Sequence, residues 1–433
     1  MRVLKKIIPS FLKVHLLRIN SFFTKTINDN KNEAIRNSHS LLIEKLRKKK
    51  SIKVLFLVLH DSVWKYEKLY ELLKEDKNFI PQLVVVPVVD ENNIDWDNYN
   101  RTLNYFNTNK YNCTGTYNEL KEEWIDIKTD AKPDLVFFTN PHKLSFDKYH
   151  IHNFKDKLTC YSSYAFVVIH LLELHYNQKF HKVLWKYFLE TKQHQTYLSS
   201  FNKENQTNGF ISGFPGLDKI FDEDFRPQQV WKKHSESKTY KVIWAPHHTI
   251  PGQDSGLNYS SFMLYYQFFI DLLVEHKNIQ VAFKPHPLLK TKLYKNEEWG
   301  KQKTDNYYNQ WSALPNGQLE ESNYIDLFYL SDAMILDSAS FIVEYLYFDK
   351  PILFTMKDDE IKVRFNSFGK KVFDYLYTGK NNEDLSRFLQ NQVIKGNDVM
   401  KDKRNAFFKE EVLPKNGKTA SENIYAQISK ELC

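Results

Sequence analysis

A chain of 433 residues has room for two ordinary domains, because single cores stop growing well below that length. With 42% hydrophobic and 15% aromatic residues it is a folding sequence, and no run of about 18 uncharged apolar residues offers a transmembrane span. The net charge of +8 sits in residues 1–50, which hold 13 basic and 3 acidic groups. The rest carries 48 basic against 50 acidic groups, which argues against a nucleic-acid groove.

In that first segment Leu4, Ile7, Ile8, Phe11 and Leu12 recur at helical spacing while Lys5, Lys6 and Lys13 interrupt the apolar run. A basic amphipathic helix of this kind suits a membrane interface rich in anionic lipid; a solvated helix packed on its own protein is the alternative. The charges inside the apolar stretch and the lack of a small-residue cleavage site argue against a secretory signal. The cluster Leu46–Lys50 extends the basic face. Cys113, Cys160 and Cys433 form no short pairing, which fits a reducing compartment without a disulfide framework or a cysteine zinc site.

From Ile52 the chain alternates. Strands are expected in IKVLFLVLH, QLVVVPVV, PDLVFFTNP and LTCYSSYAFVV, with a helix over about 63–74, and HKVLWKYFLE reads as an aromatic helix followed by a short strand near Gln195–Ser200. A turn at Gly213, Pro215 and Gly216 leads into a charged linker that ends near Lys238. The second series has strands in YKVIWAP, IQVAFKP, DAMIL and KPILFT, with helices in SFMLYYQFFIDLLVEH, YIDLFYLS and SFIVEYLYF. Such alternation implies α/β domains with doubly wound, mostly parallel sheets. Two Rossmann-like domains facing a cleft make the GT-B architecture. The expected division is an arm over 1–50, domains over 51–215 and 216–385, and a charged helical tail over 386–433.

Three strand ends of the second series carry polar groups: APHHT with His247 and His248, FKPHPLL with Lys284 and His286, and ILDSASF with Asp337, Ser338 and Ser340. Ligands in parallel sheets gather at the carboxyl ends of the strands, so these three stretches are expected at one edge. The DSAS break before a helix suits an anion, through orphan backbone donors and two hydroxyls; simple helix capping is the plainer alternative. Glu344, four residues beyond Ser340, can reach a ribose hydroxyl or stand as a surface carboxylate. His286 is stiffened by two prolines and, beside Lys284, suits a diphosphate. Adjacent residues of an extended segment point to opposite faces, so one of His247 and His248 is expected in the cleft, with His248 favoured. The same geometry speaks against a metal pair.

KPHP together with SDAMILDSASFIVEYLYFDKPILF resembles the CDP-glycerol glycerophosphotransferase family, membrane-peripheral GT-B enzymes that build teichoic acids and related capsule polymers. The resemblance spans about 240–355. It implies that His286 handles the donor pyrophosphate, and that Ser331, Asp332, Asp337 and Ser340 match the donor-binding motif. Ser338 and Ala339 replace the motif's tyrosine and first serine. A second family histidine lies in a Trp-His-Gly-Thr-Pro motif; no His-Gly occurs in this chain, and TNPH and CYSSYAF stand at the comparable strand ends. The general base is therefore open among His248, His142, His170 and His60.

The resemblance further implies transfer of a polyol phosphate, glycerol phosphate first, from a CDP-linked donor to a hydroxyl of a lipid-linked or polysaccharide acceptor, with release of CMP. It needs no metal or organic cofactor, and the arm would hold the protein at the cytoplasmic face of the cell membrane. Two alternatives stand beside it: a GT-B glycosyltransferase using a nucleotide sugar, and a catalytically silent partner in polymer assembly.

Overall fold

The structure, a computed structural model, describes residues 38–91, 93–201, 208–234, 238–251, 257–321 and 324–433. The amphipathic stretch of the arm lies outside them. The end of the arm is described: a helix over 38–46 sets Leu46 into the first domain's core, Arg47 donates to the Glu431 carbonyl at 2.8 Å, and Lys49 pairs with Asp134 at 2.6 Å. No described helix is long and apolar enough to cross a membrane.

Two parallel sheets organise the chain. The first holds β1 (Ile52–Val58), β2 (Phe79–Val85), β3 (Cys113–Gly115), β4 (Leu135–Phe138), β5 (Leu158–Ser162), β6 (Lys186–Leu189) and β7 (Gly209–Ile211) in the order β7-β6-β5-β4-β1-β2-β3. The second holds β8 (Tyr240–Ala245), β9 (Ile279–Phe283), β10 (Gly317–Leu319), β11 (Ala333–Leu336), β12 (Ile352–Thr355) and β13 (Tyr377–Gly379) in the order β10-β9-β8-β11-β12-β13. Each runs outward in both directions from its first strand, the doubly wound order whose reversal leaves a crevice at the strand ends. In the second sheet that reversal lies between β8 and β11.

The central strands are continuous apolar runs because both faces are covered. All five residues of β9 and all four of β11 and β12 are buried. Trp244 of β8 stacks on Phe269 at 4.2 Å and on Phe283 at 5.0 Å, in one apolar layer, while its neighbour Ile243 faces the other layer.

Two expectations fail. HKVLWKYFLE is a short helix, Lys179–Val183, followed by strand β6, whose residues alternate between the two faces, with Tyr187 and Leu189 in one cluster and Phe188 in the other. The strand expected near Gln195–Ser200 is the helix Lys192–Phe201, which buries His194, Tyr197 and Leu198 at helical spacing. The three-residue strands β3, β7, β10 and β13 are too short to show a period.

The domains meet along a hydrogen-bonded seam. Segment 166–170, which follows β5, runs antiparallel to segment 364–369, which follows β12. Asn366 N donates to the Val168 carbonyl, Ile169 bridges Phe365, and Phe166 stacks on Phe368 at 5.6 Å. A Cβ on Gly369 would stand 2.5 Å from the Val168 carbonyl oxygen, so only glycine allows this approach. One apolar cluster runs through both domains across the seam. The last helix, Ala420–Leu432, starts with a capping box of Thr419 and Glu422 and returns to the first domain, where Ile424, Ile428 and Leu432 join its core.

Candidate active site

Register brings three polar loops together. Trp244 pairs with Phe283 on one side and with Ile335 on the other, so β8, β9 and β11 end nearly level. The residues that follow are Pro246-His247-His248, Lys284-Pro285-His286 and Asp337-Ser338. The rings of His247 and His286 lie 5.1 Å apart, and that of His248 lies 4.3 Å from each. Both adjacent histidines therefore join the cluster, contrary to the opposite-face expectation. The strand stops at Ala245, and the chain turns at His248, whose carbonyl accepts from Ile250 N at 3.0 Å.

Hydrogen bonds fix two of these rings. Leu288 N donates to His286 Nδ1 at 3.1 Å, so in the neutral imidazole the proton is on Nε2. His247 Nδ1 lies 2.9 Å from Thr249 Oγ1, which already accepts from Tyr259 N at 2.7 Å and Ser260 N at 3.3 Å. With both lone pairs engaged, the threonine gives its own proton to Nδ1, and His247 also carries its hydrogen on Nε2. The three imidazoles offer atoms within 4.8 Å of one another, close enough for one ion. A metal at Nε2 needs a lone pair there, however, and this network presents N–H donors at His247 and His286. Such N–H donors suit an anion better than a cation.

Burial keeps the rings neutral. It lowers His286 to about 3, with His248 and Lys284 adding to the effect, lowers His248 to about 4, and holds His247 well below its ordinary value. Burial also brings the Lys284 ammonium down to about 8, against the pull of Glu320. Asp337, at 1% exposure, is raised by burial to about 6. It anchors the loops: Oδ2 accepts from Ser261 N at 2.5 Å and Ser261 Oγ at 2.6 Å, and Oδ1 accepts from His247 N. Ser338 is buried beside it, and Ser340 precedes a helix of one turn, Phe341–Glu344, which it does not cap with its side chain.

Three expected site residues stand elsewhere. Asp332 lies at the amino end of β11, the opposite edge of the sheet, and accepts from Lys241 N at 2.7 Å, tying the starts of two strands together. Ser331 beside it bonds the Phe328 carbonyl and the Tyr345 hydroxyl. The Glu344 carboxylate, 1% exposed, is not offered to a ribose in this conformation. It accepts from the Tyr324 hydroxyl, lies 3.9 Å from Lys65 Nζ and faces Phe166 N at 3.5 Å. Lys65 also donates to the Tyr324 hydroxyl, and both Lys65 and Lys284 lie over the Tyr324 ring. A buried bridge thus links the first domain to the helix beyond the DSAS loop. Nothing in the sequence around Lys65 or Tyr324 marks this bridge, and Thr249 and Ser261 are equally silent.

The base candidates of the first domain are dispersed. His60 lies 2.8 Å from Asn98 Oδ1, His142 packs near Tyr164, and His170 reaches the Arg364 carbonyl at 2.8 Å.

Two doubly wound parallel sheets, with a polar crevice at the reversal point of the second, define a protein of the GT-B class. Residues 173–430 match the family described as CDP-glycerol:poly(glycerophosphate) glycerophosphotransferase, and the chain belongs to that family. Among curated proteins it is similar to the teichoic acid ribitol-phosphate polymerases TarK and TarL of Staphylococcus aureus (strain NCTC 8325 / PS 47). The identities are 23% over 233 residues and 24% over 237 residues, each covering 50% of this chain and 40% and 36% of the relative. The chain therefore spans about two fifths of those relatives. Its fold is similar to the wall teichoic acid polymerase TagF, with a TM-score of 0.58, 14% identity and coverage of 97% of this chain and 98% of that one. It is also similar to S. aureus MnaA in complex with UDP, with a TM-score of 0.55, 14% identity and coverage of 89% and 98%.

Proposed function

We propose that this protein transfers a polyol phosphate from a CDP-linked donor to a hydroxyl of a teichoic-acid-like or capsular acceptor, releasing CMP. One observation carries the reading: two neutral imidazoles, locked as Nε2–H donors beside Lys284, meet at the reversal point of the second sheet in a chain of this family. When the acceptor oxygen attacks the β-phosphorus, the P–O bond to CMP breaks and charge collects on the leaving phosphate. The His286 and His247 N–H groups and the Lys284 ammonium suit that charge as donors already in place when it develops.

The donor polyol is glycerol or ribitol: the family description supports the first, and the curated relatives support the second. The basic arm supports attachment to the cytoplasmic face of the membrane, where a lipid-linked acceptor would be held. The test is release of CMP from CDP-glycerol and CDP-ribitol, with UDP-sugars in parallel. Cytidine-specific release supports the proposal, and release of UDP alone replaces it with a glycosyltransferase.

A further inference from the structure

We propose that His170 is the general base that takes the acceptor's proton, an inference that rests on the phosphotransferase reading above. A general base needs an accessible lone pair on a fixed ring, whereas His247 and His286 present protons. His170 is the converse. Its Nδ1 lies 2.8 Å from the Arg364 carbonyl, and a carbonyl only accepts, so Nδ1 carries the proton and Nε2 keeps its lone pair. The ring is exposed, and its own backbone N donates to the same carbonyl at 3.0 Å.

The seam sets its position. His170 ends the segment 166–170 that the Val168, Asn366 and Gly369 contacts hold against the second domain. The Arg364 carbonyl that anchors it also accepts from the Tyr259 hydroxyl at 2.7 Å, and the Tyr259 ring meets that of His247 edge to face at 5.4 Å. One carbonyl therefore connects the lone-pair histidine of the first domain, through Tyr259, to the proton-bearing His247 of the second. A hydroxyl lodged between them would lose its proton to His170 Nε2 as its oxygen bonds the β-phosphorus. The electron pair of the broken bridging P–O bond leaves on CMP, facing His247 and His286.

The rivals fit less well. His60 also donates from Nδ1, to Asn98 Oδ1, but it is half-buried, the Arg101 guanidinium bonds the same oxygen, and its side chain is tied to the first domain. His248 sits among the donors, and its Nδ1 is buried without a partner.

The test uses the full chain with CDP-glycerol and CDP-ribitol and a soluble oligo(glycerol phosphate) acceptor. His170→Asn places a carboxamide N–H where Nδ1–H was, so it keeps the bond to Arg364 and removes the base. Its kcat for CMP release is expected to fall by about 10²-fold or more. The donor dissociation constant by calorimetry and the unfolding temperature should stay at wild-type values, and His60→Asn should remain within three-fold of wild type. A His170→Asn enzyme within three-fold of wild type overturns the assignment, as does a loss of donor affinity or unfolding temperature that matches the loss of rate. If the wild-type protein releases CMP from neither donor, the phosphotransferase reading fails first and the base assignment falls with it.

Discussion

The two sheets run in the same order, yet their reversal points differ. In the second, β8 and β11 deliver His247 and Asp337 into direct contact, and β9 adds His286 and Lys284. In the first, β1 and β4 deliver His60 and His142, and each is held by its own neighbours: His60 by Asn98, and the His142 backbone by the Asn140 carboxamide. Shared topology supplies the crevice in both domains. What sets the second apart is a cluster of buried and half-buried imidazoles, two of which have their protons fixed by hydrogen bonds behind them. The first domain contributes instead through segment 166–170 and through Lys65, which reaches Glu344 across the interface.

Breaking the second sheet's cluster should cost most. His286→Ala is expected to lower kcat for CMP release by about 10²–10³-fold, the scale of losing one oxyanion donor, whereas His142→Ala should change it less than three-fold. Equal losses in steady-state CMP assays would erase the contrast between the two sheets. Next comes the bridge between them. Lys65→Met strands the buried Glu344 carboxylate and should destabilise the protein by about 3 kcal/mol in urea unfolding. Adding Glu344→Gln should restore more than half of that, because the two residues are coupled; simple additivity would show that the bridge carries no coupling.

Thr249→Val removes the hydroxyl that sets the His247 tautomer, so one Nε2–H is no longer guaranteed. A fall of about 10-fold in kcat, near 1.4 kcal/mol, is the expected result, together with a lower unfolding temperature, because the buried Tyr259 and Ser260 N–H groups lose their acceptor. A smaller effect concerns pH. His181 is fully buried against Tyr187, both ring nitrogens lack partners, and burial lowers it to about 3. Unfolded histidines titrate near 6.5, so the stability that His181, His248 and His286 derive from staying neutral is complete above that pH. It is lost as pH falls towards 4. His181→Phe should therefore raise the stability more at pH 5 than at pH 7, by about 1 kcal/mol or less at the higher pH, as read by urea unfolding. Smallest of all, Asp332→Asn, at the wrong edge of the sheet, should leave the donor dissociation constant within two-fold.

The architecture was legible wherever strands are buried on both faces: IQVAF and AMIL announce themselves by unbroken apolarity. KYFL did not, because its lysine and flanking charged residues mimic an amphipathic helix, and its pairing with β5 and β7 is a tertiary fact. In the site, the Pro-flanked His286 and the strand-end Asp337 were readable, since strand ends in such sheets face one edge. Asp332 was misplaced because a strand has two ends, and the resemblance did not say which end faces the ligand. As an extended pair His247 and His248 would point apart, but the turn at His248 rotates them together. The tautomers were beyond any sequence reading, because they depend on Leu288 N and on the donors that converge on Thr249 Oγ1.

The most direct test of the central claim is a crystal structure of the protein with CDP-glycerol bound. Pyrophosphate oxygens are expected within about 3 Å of both His247 Nε2 and His286 Nε2, with Lys284 facing the same group. A diphosphate seated away from these imidazoles, or a metal ion bound through their Nε2 atoms, would contradict it.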